Sequence, residues 1–212
     1  MNGRPVKDSG FVAAFNASAE TYDKRHGATC GLAHQLAVAA VTERVMKPAA
    51  VVDVGCGTGA LLGSVSRSWP QARLVGVDPA QRMIEVARRR LPQADLWVAT
   101  AERLPLADGS VDLVVSTTAF NHWADHEQAL REAGRVLSPD GLIVVVEHAP
   151  PGHLIGLLLR LNGRMVRHHS ESDIADLTWA SGLRPLSITA EPDGFVRLVA
   201  RPDRTPRRKE AS

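Results

Sequence analysis

The feature that most constrains the fold is a glycine-rich segment, DVGCGTG, at residues 53–59. β-Branched residues precede this segment and apolar residues at helical spacing follow it as far as Pro70, which predicts a strand, a sharp turn and a helix. Glycines at alternate positions let the backbone turn tightly and approach a ligand closely. The segment therefore predicts a cofactor-binding loop, but dinucleotide-binding folds use a related spacing, so the loop alone does not identify the ligand.

Strand-like and helix-like segments alternate over residues 49–148, as a parallel sheet with crossover helices requires. Most of these strands are apolar without alternation, which is typical of a sheet covered on both faces. A C-terminal pair of strands is joined by a short turn and predicts a hairpin. The predicted fold class is α/β: a Rossmann-like, doubly wound, seven-stranded sheet, mostly parallel with an antiparallel C-terminal hairpin, and with helices on both faces. The predicted strands include 73–77, 96–99, 111–117, 142–146, 185–190 and 194–200.

The length of 212 residues suits a single domain. Within it we expect an N-terminal helical cap with helices at 11–23 and 31–45, and a turn at 138–141 inside the sheet core. We also expect a lid-like insertion after the core and a disordered tail at the end. The predicted divisions are 1–46 for the cap, 47–148 for the core, 149–170 for the lid, 171–201 for the C-terminal helix and hairpin, and 202–212 for the tail.

Composition excludes several classes of protein. The chain is 44% hydrophobic and 23% charged with a net charge of +2, so it is expected to be globular and without a nucleic-acid partner. Two cysteines, Cys30 and Cys56, cannot build a disulfide framework, and no metal site is expected although His26 and His34 flank Cys30. No export signal or apolar run of about 18 residues is visible. We therefore expect a cytoplasmic protein without a membrane span.

Four further segments follow the glycine-rich loop in order: VGVD at 75–78, AERLP at 101–105, DGSVDLVV at 108–115 and RVLSPDG at 135–141. With DVGCGTG, this series resembles class I S-adenosylmethionine-dependent methyltransferases, and broadly the small-molecule methyltransferases of ubiquinone and menaquinone biosynthesis. The resemblance implies S-adenosylmethionine as cofactor and methyl transfer to a small apolar or aromatic acceptor. A non-catalytic S-adenosylmethionine-binding regulator or scaffold is an alternative. A nicotinamide-dependent oxidoreductase is another, but no set of dehydrogenase catalytic residues follows the loop.

The resemblance also implies a set of cofactor-binding residues. Asp78, about 20 residues beyond the glycines, is expected to accept hydrogen bonds from the ribose hydroxyls, or alternatively to cap the next helix. Asp53 is expected to reach the cofactor's ammonium group, or to tie down the loop. Thr100 stands where relatives often carry an acidic residue, and Thr58 and Thr117 are either ligand contacts or structural caps. The full set is Asp53, Gly55, Cys56, Gly57, Thr58, Gly59, Asp78, Pro79, Thr100, Ala101, Glu102 and Thr117.

Candidate acceptor-side residues are more scattered. His122, just after the fourth strand, is a candidate general base or a pocket-lining residue, and His148 is a second catalytic candidate. Tyr22 is expected either to close over the site or to pack within its helix. Apolar side chains of a lid helix form a core face, a roof over the acceptor, or a surface for peripheral membrane contact. The predicted acceptor pocket is formed by Tyr22, His122, Trp123, Leu157 and Leu158. The protein is expected to be a monomer or a homodimer.

Overall fold

The computed structural model describes residues 10–44, 46–151, 168–191 and 193–204. Their strands are β1 (Ala50–Val54), β2 (Arg73–Asp78), β3 (Asp95–Val98), β4 (Val111–Thr117), β5 (Leu137–His148), β6 (Leu183–Glu191) and β7 (Phe195–Pro202). The helices are α1 (Gly10–Ser18), α2 (Tyr22–Thr42), α3 (Ala60–Ser68), α4 (Gln81–Arg90), α5 (His126–Val136) and α6 (Glu171–Ala180). Two short 3-10 turns, Ala19–Thr21 and Phe120–His122, complete the elements described.

The seven strands form one sheet in the order β3-β2-β1-β4-β5-β7-β6. Strands β1 to β5 pair in parallel, and β7 is antiparallel to both β5 and β6. Neighbouring strand residues such as Val51 and Val52 enter different apolar clusters, one packed against α2, α3 and α4 and the other against α5 and α6. These features confirm the predicted fold class. The strand order reverses between β1 and β4, where a doubly wound sheet opens a crevice for ligands.

The structure differs from the predicted boundaries in two places. Helix α2 runs unbroken through Gly27 and Gly31, and the break in the N-terminal helices lies instead at the turn Ala19–Thr21. The cost of each helical glycine, about 1 kcal/mol, is offset because α2 buries a stripe of alanines and Val41 against the sheet. The predicted turn at 138–141 lies within β5 as a bulge, since Val111 pairs with Leu137 and Leu113 with Leu142.

The N-terminal helices dock onto α4. Asn16 Oδ1 accepts a hydrogen bond from the backbone N–H of Arg82 at 2.9 Å, which satisfies a free donor in the first turn of α4. Arg89 donates twice to the carboxylate of Glu20, at 2.6 and 2.8 Å. Ala19 and Met83 are buried in a small apolar cluster at the same contact. Helices α1 and α2 are thus held over the carboxyl ends of the strands.

Some predicted features lie outside the described residues. These are most of the lid, with Leu157 and Leu158, and the tail beyond residue 204. The predicted start of the tail at residue 202 is wrong by one residue, because Pro202 ends β7, where it pairs with Leu183. None of the described helices is long and apolar enough to cross a membrane.

Candidate functional site

A cavity of about 790 Å³ opens at the carboxyl ends of β1, β2 and β4 and is roofed by α1 and α2. Most predicted cofactor residues line it, and so do the acceptor-side candidates Tyr22, His122 and Trp123. Gly59 and His148 are not among its lining residues. The predicted residues that the cavity brings together are Tyr22, Asp53, Gly55, Cys56, Gly57, Thr58, Asp78, Pro79, Thr100, Ala101, Glu102, Thr117, His122 and Trp123.

The glycine-rich loop is fastened to the neighbouring strand. The N–H groups of Gly55 and Cys56 both donate to the carbonyl oxygen of Val77, at 2.7 and 3.0 Å. Gly55 has φ 82° and a Cβ there would lie 2.3 Å from the Cβ of Ala119. Gly57 also has a positive φ, 51°, but a Cβ built there meets no heavy atom within 4 Å. A ligand can therefore approach the backbone of Gly57 closely.

Asp78 closes the loop from β2. Its Oδ2 accepts from the N–H of Gly57 at 2.9 Å, and its Oδ1 accepts from the N–H of Ala80 at 2.8 Å. Burial raises the pKa of Asp78 to about 6, although these two donors oppose the shift. The N-cap residue of α4 is Ala80, so Asp78 holds the N–H of that N-cap residue and does not cap the helix directly. Each carboxylate oxygen can accept a further hydrogen bond, which leaves capacity for a ligand hydroxyl.

Asp53 is the unusual acid of the site. Only 1% of its surface is exposed, and within the described part of the chain neither carboxylate oxygen has a hydrogen-bond partner. Burial, aided by the nearby charge of Asp78, raises the pKa of Asp53 to about 8. The structure thus contains a buried acceptor beside the loop without the loop-tying bonds of the alternative interpretation. Such a carboxylate fits a ligand that brings a cationic or donor group to it.

Thr58 links the loop to the N-terminal helices. Its hydroxyl donates to Asp23 Oδ1 at 2.7 Å, and Arg90 donates to the Thr58 carbonyl and hydroxyl oxygens at 3.0 and 3.1 Å. Arg90 is also ion-paired with Asp23. Burial alone would raise the pKa of Asp23, but hydrogen bonds from Arg90 and Thr58 lower it. Arg90 is a site residue that the sequence does not indicate, because nothing in the spacing of Asp23 and Arg90 shows that α2 and α4 meet.

Two predicted cofactor residues have structural contacts of their own. Glu102 Oε1 accepts from the N–H groups of Ala124 and Asp125, at 2.8 and 3.1 Å, and so holds the segment after β4. The thiol of Cys56 packs in the core, where a Cβ on Gly76 would lie 2.9 Å from its sulfur. Burial raises the pKa of that thiol well above its ordinary value. Cys56 therefore offers a ligand its backbone rather than its side chain.

On the acceptor side, His122 lies among aromatic rings of α1. Its ring centroid is 4.9 Å from that of Phe11 and 5.3 Å from that of Phe15. Its Nδ1 is buried and has no hydrogen-bond partner among the described residues. Burial lowers the pKa of His122, and the nearby His168 and His148 add to the shift. His122 is thus held as a neutral imidazole that can accept a proton.

Helix α2 contributes a polar chain above the loop. The Tyr22 hydroxyl lies 3.9 Å from Cys30 Sγ, which lies 3.8 Å from the hydroxyl of Thr118. Burial raises the pKa of Tyr22, so its hydroxyl stays protonated. Thr118 has φ 52°, which is uncommon for a residue other than glycine and is typical of functional or strained positions. Cys30 and Thr118 line the cavity and were missed because they lie on segments 88 residues apart.

His148 lies elsewhere. Its ring stacks on Phe195 of β7, with centroids 4.7 Å apart and planes at 28°. Burial lowers the pKa of His148, as for His122. The ring does not reach the cavity, so the geometry gives its predicted catalytic role no support.

Among the residues that the structure describes, no group of three or more His, Cys, Asp or Glu side chains is arranged to hold a metal ion.

Comparison with known proteins agrees with this geometry. A family model described as a methyltransferase domain matches residues 52–145. The chain is 32% identical over 159 residues to the demethylmenaquinone methyltransferase of Deinococcus radiodurans, covering 72% of this chain and 66% of that protein. It is 42% identical over 127 residues to the malonyl-[acyl-carrier protein] O-methyltransferase of Geobacter sulfurreducens, covering 53% of this chain and 48% of that protein.

Solved structures share the fold. A protein of Haloferax volcanii, solved in complex with the Trm112 methyltransferase activator, superposes with a TM-score of 0.76 at 21% identity, covering 92% of this chain and 98% of that one. The geranyl diphosphate C-methyltransferase of Streptomyces coelicolor, solved with S-adenosyl-L-homocysteine, gives 0.61 at 16% identity, covering 72% of this chain and 70% of that one.

The matches to the first curated relatives span about half of the length of those proteins or less. Within that limit, the family assignment rests on the domain match and on the relative that is 32% identical over 159 residues. The chain belongs to the class I S-adenosylmethionine-dependent methyltransferase family, whose cofactor is S-adenosylmethionine. The residues present fit that cofactor, because the buried Asp53 carboxylate, the two acceptors of Asp78 and the open space at Gly57 surround one cavity.

Proposed function

We propose that this chain transfers a methyl group from S-adenosylmethionine to a small apolar or aromatic acceptor. The observation that carries the proposal is the cavity, which combines a polar half around Asp53 and Asp78 with an aromatic half around His122. Its acceptor half is lined by Val12, Phe15, Tyr22 and Trp123. Such a lining favours an uncharged, apolar acceptor. The relatives named for demethylmenaquinone support the same class.

The residues around the cavity have separate roles in binding and in proton transfer. When bound, S-adenosylmethionine supplies a methyl group whose bond to a cationic sulfur breaks as the acceptor bonds to the carbon, leaving S-adenosylhomocysteine. Asp78 holds the glycine-rich loop and has acceptor capacity for ribose hydroxyls, and Asp53 accepts from the cofactor's ammonium group. The aromatic residues of α1 exclude water and align the acceptor. If the acceptor atom is a hydroxyl oxygen, His122 removes its proton because its imidazole is neutral.

Isothermal titration followed by turnover tests the proposal. We expect the protein to bind S-adenosylhomocysteine and to methylate at least one member of a panel of phenols, hydroquinones, amines and carboxylic acids, detected as a mass gain of one methyl group. No binding by folded protein at millimolar ligand would overturn both the cofactor and the activity. Binding without turnover across the panel would favour a non-catalytic regulator or scaffold.

Several other features of the chain are predicted from the sequence alone. The division into cap, core, lid, hairpin and tail, the cytoplasmic location and the choice between monomer and homodimer stay predictions. Size-exclusion chromatography with light scattering measures the oligomeric state directly.

A further inference from the structure

Glu147, near the end of β5, is a buried carboxylate bonded to the backbone. It is 3% exposed. Its Oε2 accepts from the backbone N–H of Asn121 at 3.0 Å, and its Oε1 accepts from the backbone N–H of His148 at 2.7 Å. The N–H of Phe120 also bonds to it. Burial raises the pKa of Glu147 to about 7, and these backbone donors oppose that shift.

The turn Phe120–His122 needs such an anchor. The N–H of His122 donates to the carbonyl oxygen of Ala119, and the N–H of Trp123 donates to that of Phe120, both at 3.0 Å. The first N–H groups of a helical turn have no hydrogen-bond partner inside the turn. The hydrogen bonds of a 3-10 turn also have poorer geometry than those of an α-helix. A buried N–H left unpaired is costly. Glu147 meets this need for the first two residues of the turn.

The side chain of Asn121 holds the same turn from the other side. Its amide nitrogen lies 3.4 Å from the carbonyl oxygen of His148 and 3.3 Å from His168 Nδ1. Its amide oxygen lies 3.4 Å from His169 Nδ1. The residue just before His122 is therefore fixed at both its backbone and its side chain.

His122 has no comparable restraint on its ring. Its Nδ1 lacks a hydrogen-bond partner in the described ranges, and its ring packs against the rings of Phe11 and Phe15. The direction in which the imidazole enters the cavity thus depends on the backbone of the turn. Glu147 is absent from the cavity lining, so it does not meet the acceptor itself.

We propose that Glu147 is a positioning residue, whose carboxylate fixes the turn that presents His122 to the methyl acceptor. This role rests on the proposed methyltransferase function. It differs from general support of the fold because its effect should pass through His122, and should therefore disappear when that imidazole is removed.

The test is Glu147→Gln, alone and combined with His122→Ala. The glutamine has nearly the same shape, but its NH₂ group would face a backbone N–H in place of an acceptor. We expect kcat per S-adenosylhomocysteine-binding site to fall about tenfold, because small misplacements of catalytic groups are costly. The substrate is the hydroxyl compound that turns over fastest in the panel above. The Kd for S-adenosylhomocysteine should change less than about twofold, since the residues around Asp53 and Asp78 are untouched. In the His122→Ala background, Glu147→Gln should change kcat little.

Asp112→Asn is the matched control. Asp112 Oδ2 accepts from the N–H groups of Ala49 and Ala50, at 2.9 and 3.0 Å, near the amino ends of β4 and β1 and so at the opposite end of these strands from the cavity. This variant should lower Tm but leave kcat per binding site unchanged. If Glu147→Gln does not fold, Glu147→Asp keeps the charge on a shorter side chain and is tested in the same way.

Three results would overturn the role: an unchanged kcat, an equal kcat loss with and without His122, or the same loss in Asp112→Asn. Wild-type protein that binds no S-adenosylhomocysteine would overturn the proposed function as well. Active wild-type protein with any of the three results overturns the role of Glu147 alone.

Discussion

The two halves of the cavity are held together in different ways. In the cofactor half, Asp78 and the glycine-rich loop are joined by hydrogen bonds between neighbouring parallel strands. In the acceptor half, His122 meets rings from α1 through aromatic contacts, and its position depends on a 3-10 turn and on docked helices. The sheet itself thus builds the cofactor half. The acceptor half depends on parts of the chain that are distant in sequence.

The largest expected effect is a loss of stability caused by a substitution in the cofactor half. Gly55→Ala places a Cβ 2.3 Å from that of Ala119 at a positive φ, so both overpacking and backbone strain oppose it. We expect the free energy of unfolding to fall by about 3–5 kcal/mol, measured by urea denaturation. Gly194→Ala is the control, because its φ is 78° with nothing within 4 Å of the added Cβ. Its cost should be about 1–2 kcal/mol; equal costs would show that Ala119 yields.

The second prediction is that a substitution in the acceptor half lowers turnover without changing cofactor affinity. His122→Asn should reduce methylation of a hydroxyl acceptor by about 100-fold, the usual scale of a lost general base. The affinity for S-adenosylhomocysteine should be unchanged, because Asp53 and Asp78 are untouched. His148→Asn should retain turnover, since that ring stacks on Phe195 away from the cavity. Equal turnover of wild type and His122→Asn at both neutral and high pH would remove the general-base role.

The third prediction uses the raised pKa of Asp53. Native Asp53 holds its proton to about pH 8 and Glu147 to about pH 7, whereas the unfolded chain loses both protons near pH 4. A raised native pKa gives stability that is complete at low pH and is lost as the pH rises through the native pKa. Buried histidines have the opposite effect, but only below about pH 6.5. Tm should therefore fall between about pH 6.5 and 8.

The variant Asp53→Asn should reduce that slope. If the Asp53 carboxylate meets the cofactor's ammonium group, binding releases its proton, and wild-type affinity for S-adenosylhomocysteine should rise over the same pH window. Calorimetry in buffers of different ionisation enthalpy measures the released proton. A pH-independent affinity in wild type would contradict the contact.

The smallest expected effect concerns the link between the halves. Asp23→Asn weakens the ion pair with Arg90, whose side chains are 39% and 37% exposed. Solvent screening limits the loss of unfolding free energy to about 0.5–1 kcal/mol. Glu20→Gln alters a pair that is still more exposed, at 62% and 58%, and should cost less. Chemical denaturation at low and high salt checks this order, and a larger effect for Glu20→Gln would contradict it.

Much of the fold and of the cofactor half could be predicted because their signals are local. The apolar run before residues 53–59 defines a strand, and Asp78 follows the next strand at a regular distance. The link from Asp23 to Thr58 and Arg90 could not be predicted, since it depends on the docking of α2 against α4. The start of α2 was also wrong in the sequence interpretation, because burial of its alanine stripe outweighs two glycines.

The two catalytic candidates occupy different places, since His122 lines the cavity and His148 does not. His122 and His148 each follow a parallel strand in the sequence prediction, which makes His122 a catalytic candidate and His148 a second one. The antiparallel strand β7 then pairs with the end of β5, setting His148 opposite Phe195. That pairing is a long-range feature, so no local pattern separates the two histidines.

Gly27 has a practical consequence for protein engineering. It lies in α2, lines the cavity, and a Cβ built there meets no heavy atom within 4 Å. Alanine is favoured over glycine inside a helix by about 1 kcal/mol, so the first added carbon should stabilise the protein. Each larger side chain would then take volume from the cavity. A set of variants at residue 27 would therefore change cavity volume and thermal stability through one side chain, without repacking the core.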